Sequence, residues 1–185
     1  VRGVGSPFTT DLEKSHPMLP LTQSMLPKIF VNASRREASQ ATPPFPLDEV
    51  DWENTDLLGW KDPHNPQRIF LILPAPAGSD RDKPVGMLLR VVPSPPRKNM
   101  CALCEDITQV SDVRMVVAKL AGPAGRRGDT VGTLVHTDFG CNGYARRQPT
   151  RMEGLDNPDL FIANRVTALQ SNAEAFALRV LADKA

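Results

Sequence analysis

Every cysteine in the chain lies in one of two short stretches, CALC at 101–104 and HTDFGC at 136–141. A CxxC turn brings two thiolates close enough to occupy two corners of a tetrahedral metal site, and a distant segment must supply the other two. His136 and Cys141 are placed to do so. The roughly 30 residues between the pairs suffice for a hairpin out and back, which returns the second pair beside the first. Cys101, Cys104, His136 and Cys141 therefore make a candidate zinc site, with knuckle, hairpin and helix-start ligands in the order of a treble clef. Zn2+ is the expected cofactor.

Other readings of these residues carry less. A lone CxxC also fits a redox pair, but that motif needs a following helix, whereas Asp106 to Asp112 reads as a turn before a strand. His136 by itself fits a solvated polar side chain, and its spacing to Cys141 is what makes it a ligand candidate, with Asp138 as the substitute oxygen donor. His16 and His64 have no companions. Hydrolytic zinc sites keep an open coordination position and lean on histidines and carboxylates, so a closed, cysteine-rich set points to structure. No nucleophile with a placed base stands out, and the glycines at 122–132 lie inside a hairpin rather than before a helix, so no phosphate loop is formed. The expectation is a binding protein, not an enzyme.

The elements that must hold the site follow from periodicity. IFLIL at 69–73 and VGMLLRVV at 85–92 are apolar runs parted by turn residues, which predicts an antiparallel pair. VRMVVAKL at 113–120 and TVGTLVH at 130–136 flank AGPAGRRGD and predict a second hairpin with a glycine-rich tip. The closing NPDLFIANRVTALQSNAEAFALRVLADKA predicts a long helix, with Asn157 as cap, Pro158 in the first turn and a stripe through Ile162, Val166, Leu169, Ala173, Phe176 and Val180. Earlier, SMLPKIFVNASRREA predicts one short amphipathic helix capped by Ser24. Residues 42–66 read as an irregular segment pinned by Trp52 and Trp60.

The fold class expected is α+β: an antiparallel β-sheet with a treble-clef zinc finger and a long C-terminal helix. A chain of 185 residues suits one compact unit. Its 18 prolines point to short elements on stiff connections. Residues 1–18 are expected as a disordered extension, 19–98 as an α+β part and 99–185 as the treble-clef part. The first residue is Val, which suggests a non-Met start codon or a shortened sequence, with Met18 as a candidate later start.

A formal net charge of +1 gives no global field that would draw the chain to nucleic acid or an anionic membrane. Basic and acidic residues are equal in number from Cys101 onward. No stretch has the length of a membrane span or the apolar core of a secretory signal, and an odd cysteine count is a poor disulfide framework, so a cytosolic protein is expected.

The stretches FVNASRREA, LDEVDWENTDLLGWKDP, VGMLLR, CALC, AGPAGRRGDTVGTLVHTDFGCNGYARR and the closing helix resemble the FBP family, elongation factor G-binding proteins with a C-terminal treble-clef zinc finger. The resemblance runs from about Leu19 to Leu181. Members are similar to ribosome-associated proteins that protect against fusidic acid by binding elongation factor G and freeing it from the stalled ribosome. The implied partner is thus elongation factor G, with ribosomal RNA contact as an adjunct and no membrane or small-molecule substrate. An RNA- or ribosome-binding finger without factor release is the alternative. There are two departures from the family: His136 stands where many members have cysteine, and Asn142, Gly143, Tyr144, Ala145 and Arg146 stand where Ser-Leu-Tyr-Val-Arg is usual, with Tyr144 and Arg146 kept in register. A tyrosine flanked by arginines offers the residue types of interface hot spots, which makes Tyr144, Arg146 and Arg147 the first candidate contacts. Arg126 and Arg127 on the hairpin tip are the second, against a solvated tip as the plain alternative.

Overall fold

The strand β2 (Asn65–Leu73) ends in five buried apolar residues, and the neighbouring β3 (Val85–Val91) opens with five buried positions. Such runs are stable as strands only where both faces of the sheet are covered. The computed structural model, which describes residues 18–76, 83–95, 97–153 and 157–182, shows this arrangement. Five strands lie in the order β1-β2-β3-β4-β5, all antiparallel, with β1 at Leu58–Asp62, β4 at Val113–Lys119 and β5 at Thr130–His136.

Alternate side chains feed two cores. Ile69, Leu71, Leu73, Met87 and Leu89 face the long helix that closes the chain, Pro158–Leu181, and meet its Leu169, Ala173, Phe176 and Val180. Asn157 caps that helix as expected, its side chain accepting the Leu160 amide at 3.0 Å. Phe70, Ile72 and Leu88 point the other way, against Leu26, Phe30 and Ala38. Among the described residues no helix is long and apolar enough to cross a membrane.

Local structure departs from the sequence reading in four places. The predicted helix over SMLPKIFVNASRREA is two, α1 (Leu26–Ile29) and α2 (Arg35–Ser39). Ser24 caps neither; Ser34 and Glu37 form a reciprocal capping box on α2, a stronger start signal that lay inside the predicted helix. The link between them serves the sheet: Asn32 donates to the Leu88 and Lys119 carbonyls and accepts the Leu88 amide, tying β3 to β4. Trp60 sits in β1, a strand hidden from sequence by its glycine and charged residues, and stacks on Phe70 at 5.4 Å. AGPAGRRGD is not an open tip but a helix, α3 (Gly122–Arg127), because Pro123 suits the first turn and Gly128, at φ 104°, takes the left-handed stop.

The expected disordered extension and His16 lie outside the described residues, apart from Met18. Met18 is part of the fold: its amide donates to the Thr55 carbonyl and its side chain is buried. The β3–β4 pairing makes the sheet continuous across the division drawn at residue 98.

Candidate metal centre

The knuckle is set by its own backbone. The Glu105 amide donates to the Cys101 carbonyl at 2.9 Å, Glu105 takes a positive φ of 53°, and the Leu103 amide points at the Cys101 sulfur at 3.4 Å. A bond from the Ala102 amide to the Leu134 carbonyl, 2.8 Å, fastens the knuckle to β5. That strand ends on His136, the chain turns through Phe139 at φ 59°, and helix α4 (Cys141–Arg146) begins on the last ligand.

All four candidate ligands are buried, and their donor atoms lie within 4.8 Å of one another. The Cys101 and Cys141 sulfurs are 3.8 Å apart, and His136 Nδ1 is 3.4 Å from the Cys104 sulfur and 3.5 Å from that of Cys141. Zn–S and Zn–N bonds at tetrahedral angles put sulfurs about 3.8 Å apart and sulfur and nitrogen about 3.6 Å apart. The residues present therefore fit zinc. His136 Nε2 lies 2.5 Å from the Gln109 carbonyl, so the proton sits there and Nδ1 is left as the ligand nitrogen.

In the metal-free cluster, hydrogen bonds from Cys104 and Cys141 hold the Cys101 thiol far below its usual range, while bonds to Cys101 and Cys104 push Cys141 up. Burial works against the His136 imidazolium, but its bonds to Cys101, Cys104 and the Gln109 carbonyl prevail and push it up to about 11. Zinc must displace these protons, so metal uptake is coupled to their release.

The family described as FBP C-terminal treble-clef zinc-finger matches the chain over residues 26–180. The chain belongs to this family. No curated protein and no solved structure matches it. In this FBP-type finger the knuckle, the β4–β5 hairpin and α4 are the treble clef, and bound zinc supplies a rigid staple between them.

Around the finger, two buried carboxylates organise the arginines. Asp106 accepts from Arg147 and Arg165, and also from the Thr108 hydroxyl and amide and the Gln109 amide, the last three each at 2.7 Å. Burial alone would raise the Asp106 carboxyl, but the bonds from Thr108, Gln109 and Arg147 hold it well below the usual carboxylate range. Asp56 accepts from Arg146 and from Gln170 of the closing helix, written α5 below (Pro158–Leu181). Asn142 bonds the backbone before β1, accepting the Asp56 and Leu57 amides and donating to the Leu57 carbonyl at 2.8 Å.

The nine residues singled out by sequence therefore divide. Cys101, Cys104, His136 and Cys141 converge. Tyr144, Arg146 and Arg147 are half-buried and turned inward: Tyr144 donates to Asp138 and packs on His136 at 4.7 Å, while both arginines reach carboxylates beneath the surface. Arg126 and Arg127 are exposed on α3. Asp138, the substitute ligand, is engaged instead by Tyr144 and the Gly140 amide. Sequence reasoning missed Asp56, Asp106 and Asn142. Asp106 had a local signal, the Asp-x-Thr turn that its side chain closes; the other two are defined by partners far along the chain.

Proposed function

We propose that this FBP-type finger binds translation elongation factor G through the zinc-supported part of the molecule and acts by that contact, not by catalysis, aiding release of the factor from the ribosome. The observation that carries the reading is the closed, buried Cys3His cluster within a chain of the FBP family. Four protein donors leave no coordination position for substrate, so the metal's contribution is rigidity. Such a partner belongs to the cytosol.

Within this reading, Arg126 and Arg127 are the contact residues, while Tyr144, Arg146 and Arg147 brace the finger itself through Asp138, Asp56 and Asp106. The pair between Arg127 and Asp129 is 3.7 Å long with both side chains more than half exposed, so it holds the guanidinium only weakly. The arginines are thus open to carboxylates of a partner.

The test is calorimetric titration of the zinc-loaded chain with purified elongation factor G. Wild type should bind saturably; the R126E/R127E double variant should bind roughly tenfold or more weakly, the scale of an interface anchor, with its melting unchanged. Absence of binding by zinc-loaded wild type would overturn the proposal. Capture of ribosomal RNA without the factor would favour the RNA-binding alternative.

A further inference from the structure

On the sheet face away from the zinc, a cleft of about 650 Å³ opens where the β1–β2 turn meets the chain leaving α2. It is lined by Gln40, Thr42, Asp62, His64, Asn65 and Arg68 together with two prolines. The polar groups in these walls are engaged in a one-sided way. Arg68 Nη1 donates to Gln40 Oε1 at 2.9 Å and to Asp62 Oδ2 at 3.2 Å. The His64 amide donates to Asp62 Oδ1 at 2.9 Å, and the Gln67 amide to Asn65 Oδ1 at 3.3 Å. Every side-chain carboxylate or amide oxygen in the walls thus already accepts a hydrogen bond. The NH2 groups of Gln40 and Asn65, the remaining N–H groups of Arg68 and the Thr42 hydroxyl have no protein partner among the described residues.

We propose that this cleft binds a ligand carboxylate, carried either by the free C terminus of a peptide or by a small organic acid. Surplus donors select an acceptor, and the engaged oxygens offer little to an amine or a metal cation. Asp62 and Arg68 offset one another, and Arg90, directly opposite Arg68 on β3, adds one more guanidinium to the same sheet face. Like charges facing one another across a strand pair are unfavourable. Glu37, whose Oε2 is held by Ser34 in the α2 capping box, lies near both arginines, and its carboxylate offsets them. With two carboxylates against two guanidiniums the site carries no net positive charge, so its surplus donors do the selecting, and they match a singly charged carboxylate better than a polyphosphate or nucleic acid.

The experiment is an NMR titration of the zinc-loaded, isotope-labelled full chain with three probes: acetyl-trialanine bearing a free C-terminal carboxylate, the same peptide as its C-terminal amide, and acetate. The free acid should give saturable shifts at residues 40–42 and 62–68, and the amide should bind roughly tenfold more weakly, since one charge-assisted bond pattern is lost. Tighter binding of the peptide acid than of acetate assigns the peptide end; equal binding assigns the small acid. Q40A and N65A, both at exposed positions, should each weaken the acid about fivefold or more while leaving zinc content unchanged. Absence of saturable shifts, equal binding of acid and amide, or undiminished binding by the Q40A/N65A double variant would overturn the site. None of these outcomes depends on whether the finger binds elongation factor G.

Discussion

Arg147 is held from two sides, its Nε on Asp106 and its two terminal nitrogens on Glu153 at 2.8 and 2.6 Å. Both carboxylates are largely buried, so removing Arg147 leaves the Glu153 charge without its ion pair where water reaches poorly, while Asp106 keeps Arg165. Arg147→Ala should lower unfolding free energy by about 3 kcal/mol in urea titrations, and Arg147→Lys should recover little because an ammonium cannot span both partners. Near-wild-type stability of the alanine variant would return Arg147 to the list of free contacts. The Glu153 end of the pair also sets a pH dependence. Its bond from Arg147 outweighs burial and takes its pKa from an ordinary 4.5 to about 2. A depressed carboxylate stabilises fully above its unfolded value and loses that contribution as pH falls through the folded one. The stability gap between wild type and Glu153→Gln should therefore be constant above about pH 4.5 and close toward pH 2, a window read by urea midpoints across pH. A gap that persists unchanged at the acid end would contradict the pairing.

At the scale of elements, the metal loop and β1 meet at a glycine. A Cβ on Gly59 would stand 2.3 Å from the Phe139 ring, whose backbone already holds the left-handed turn between His136 and Cys141. Gly59→Ala must push that ring, and with it the loop carrying two ligands. The expected result is a loss of about 1–3 kcal/mol and faster zinc transfer to a chelator. Gly143 supplies the contrast: it is a helical position in α4 with nothing within 4 Å of an added Cβ. Gly143→Ala should stabilise by about 0.5–1 kcal/mol, because a helix-interior glycine carries excess unfolded-state freedom and nothing here resists the methyl. Thermal melts of the pair decide it, and a destabilised Gly143→Ala would mean that α4 needs its flexibility. The same comparison bears on the family departures: the missing leucine at Gly143 leaves an exposed gap, whereas Ala145 is fully buried in the core.

Across the whole molecule, zinc is a staple in a structure with one continuous sheet. The finger joins the other strands through three paired positions between β3 and β4, helped by the Asn32 bridge. The first core, which contains the cysteines, also contains β2, β3 and the buried stripe of α5. One zinc per chain is expected by metal analysis. Chelation should strip amide protection first from β5, α4 and the Asp56–Leu57 backbone that Asn142 holds, with β2 and β3 retaining more. Hydrogen exchange that shows equal loss in every strand would argue for a single cooperative unit with no local opening.

The sequence by itself determined the ligands, the two hairpins and the long helix. Ligand chemistry is a matter of residue type and spacing, doubly covered strands are apolar throughout, and a cap with a stripe is local information. It did not disclose β1, whose LGWKD reads as a strand only once Phe70 lies against Trp60 and the Phe139 ring has settled on Gly59. Nor did it disclose the fate of the arginines after the last cysteine. Arg146 and Arg147 look like free surface cations in sequence because their partners, Asp56 and Asp106, lie 90 and 41 residues away. Whether a charged side chain is a contact or a brace depends on what the fold brings beneath it, and here that decision belongs to the tertiary structure alone.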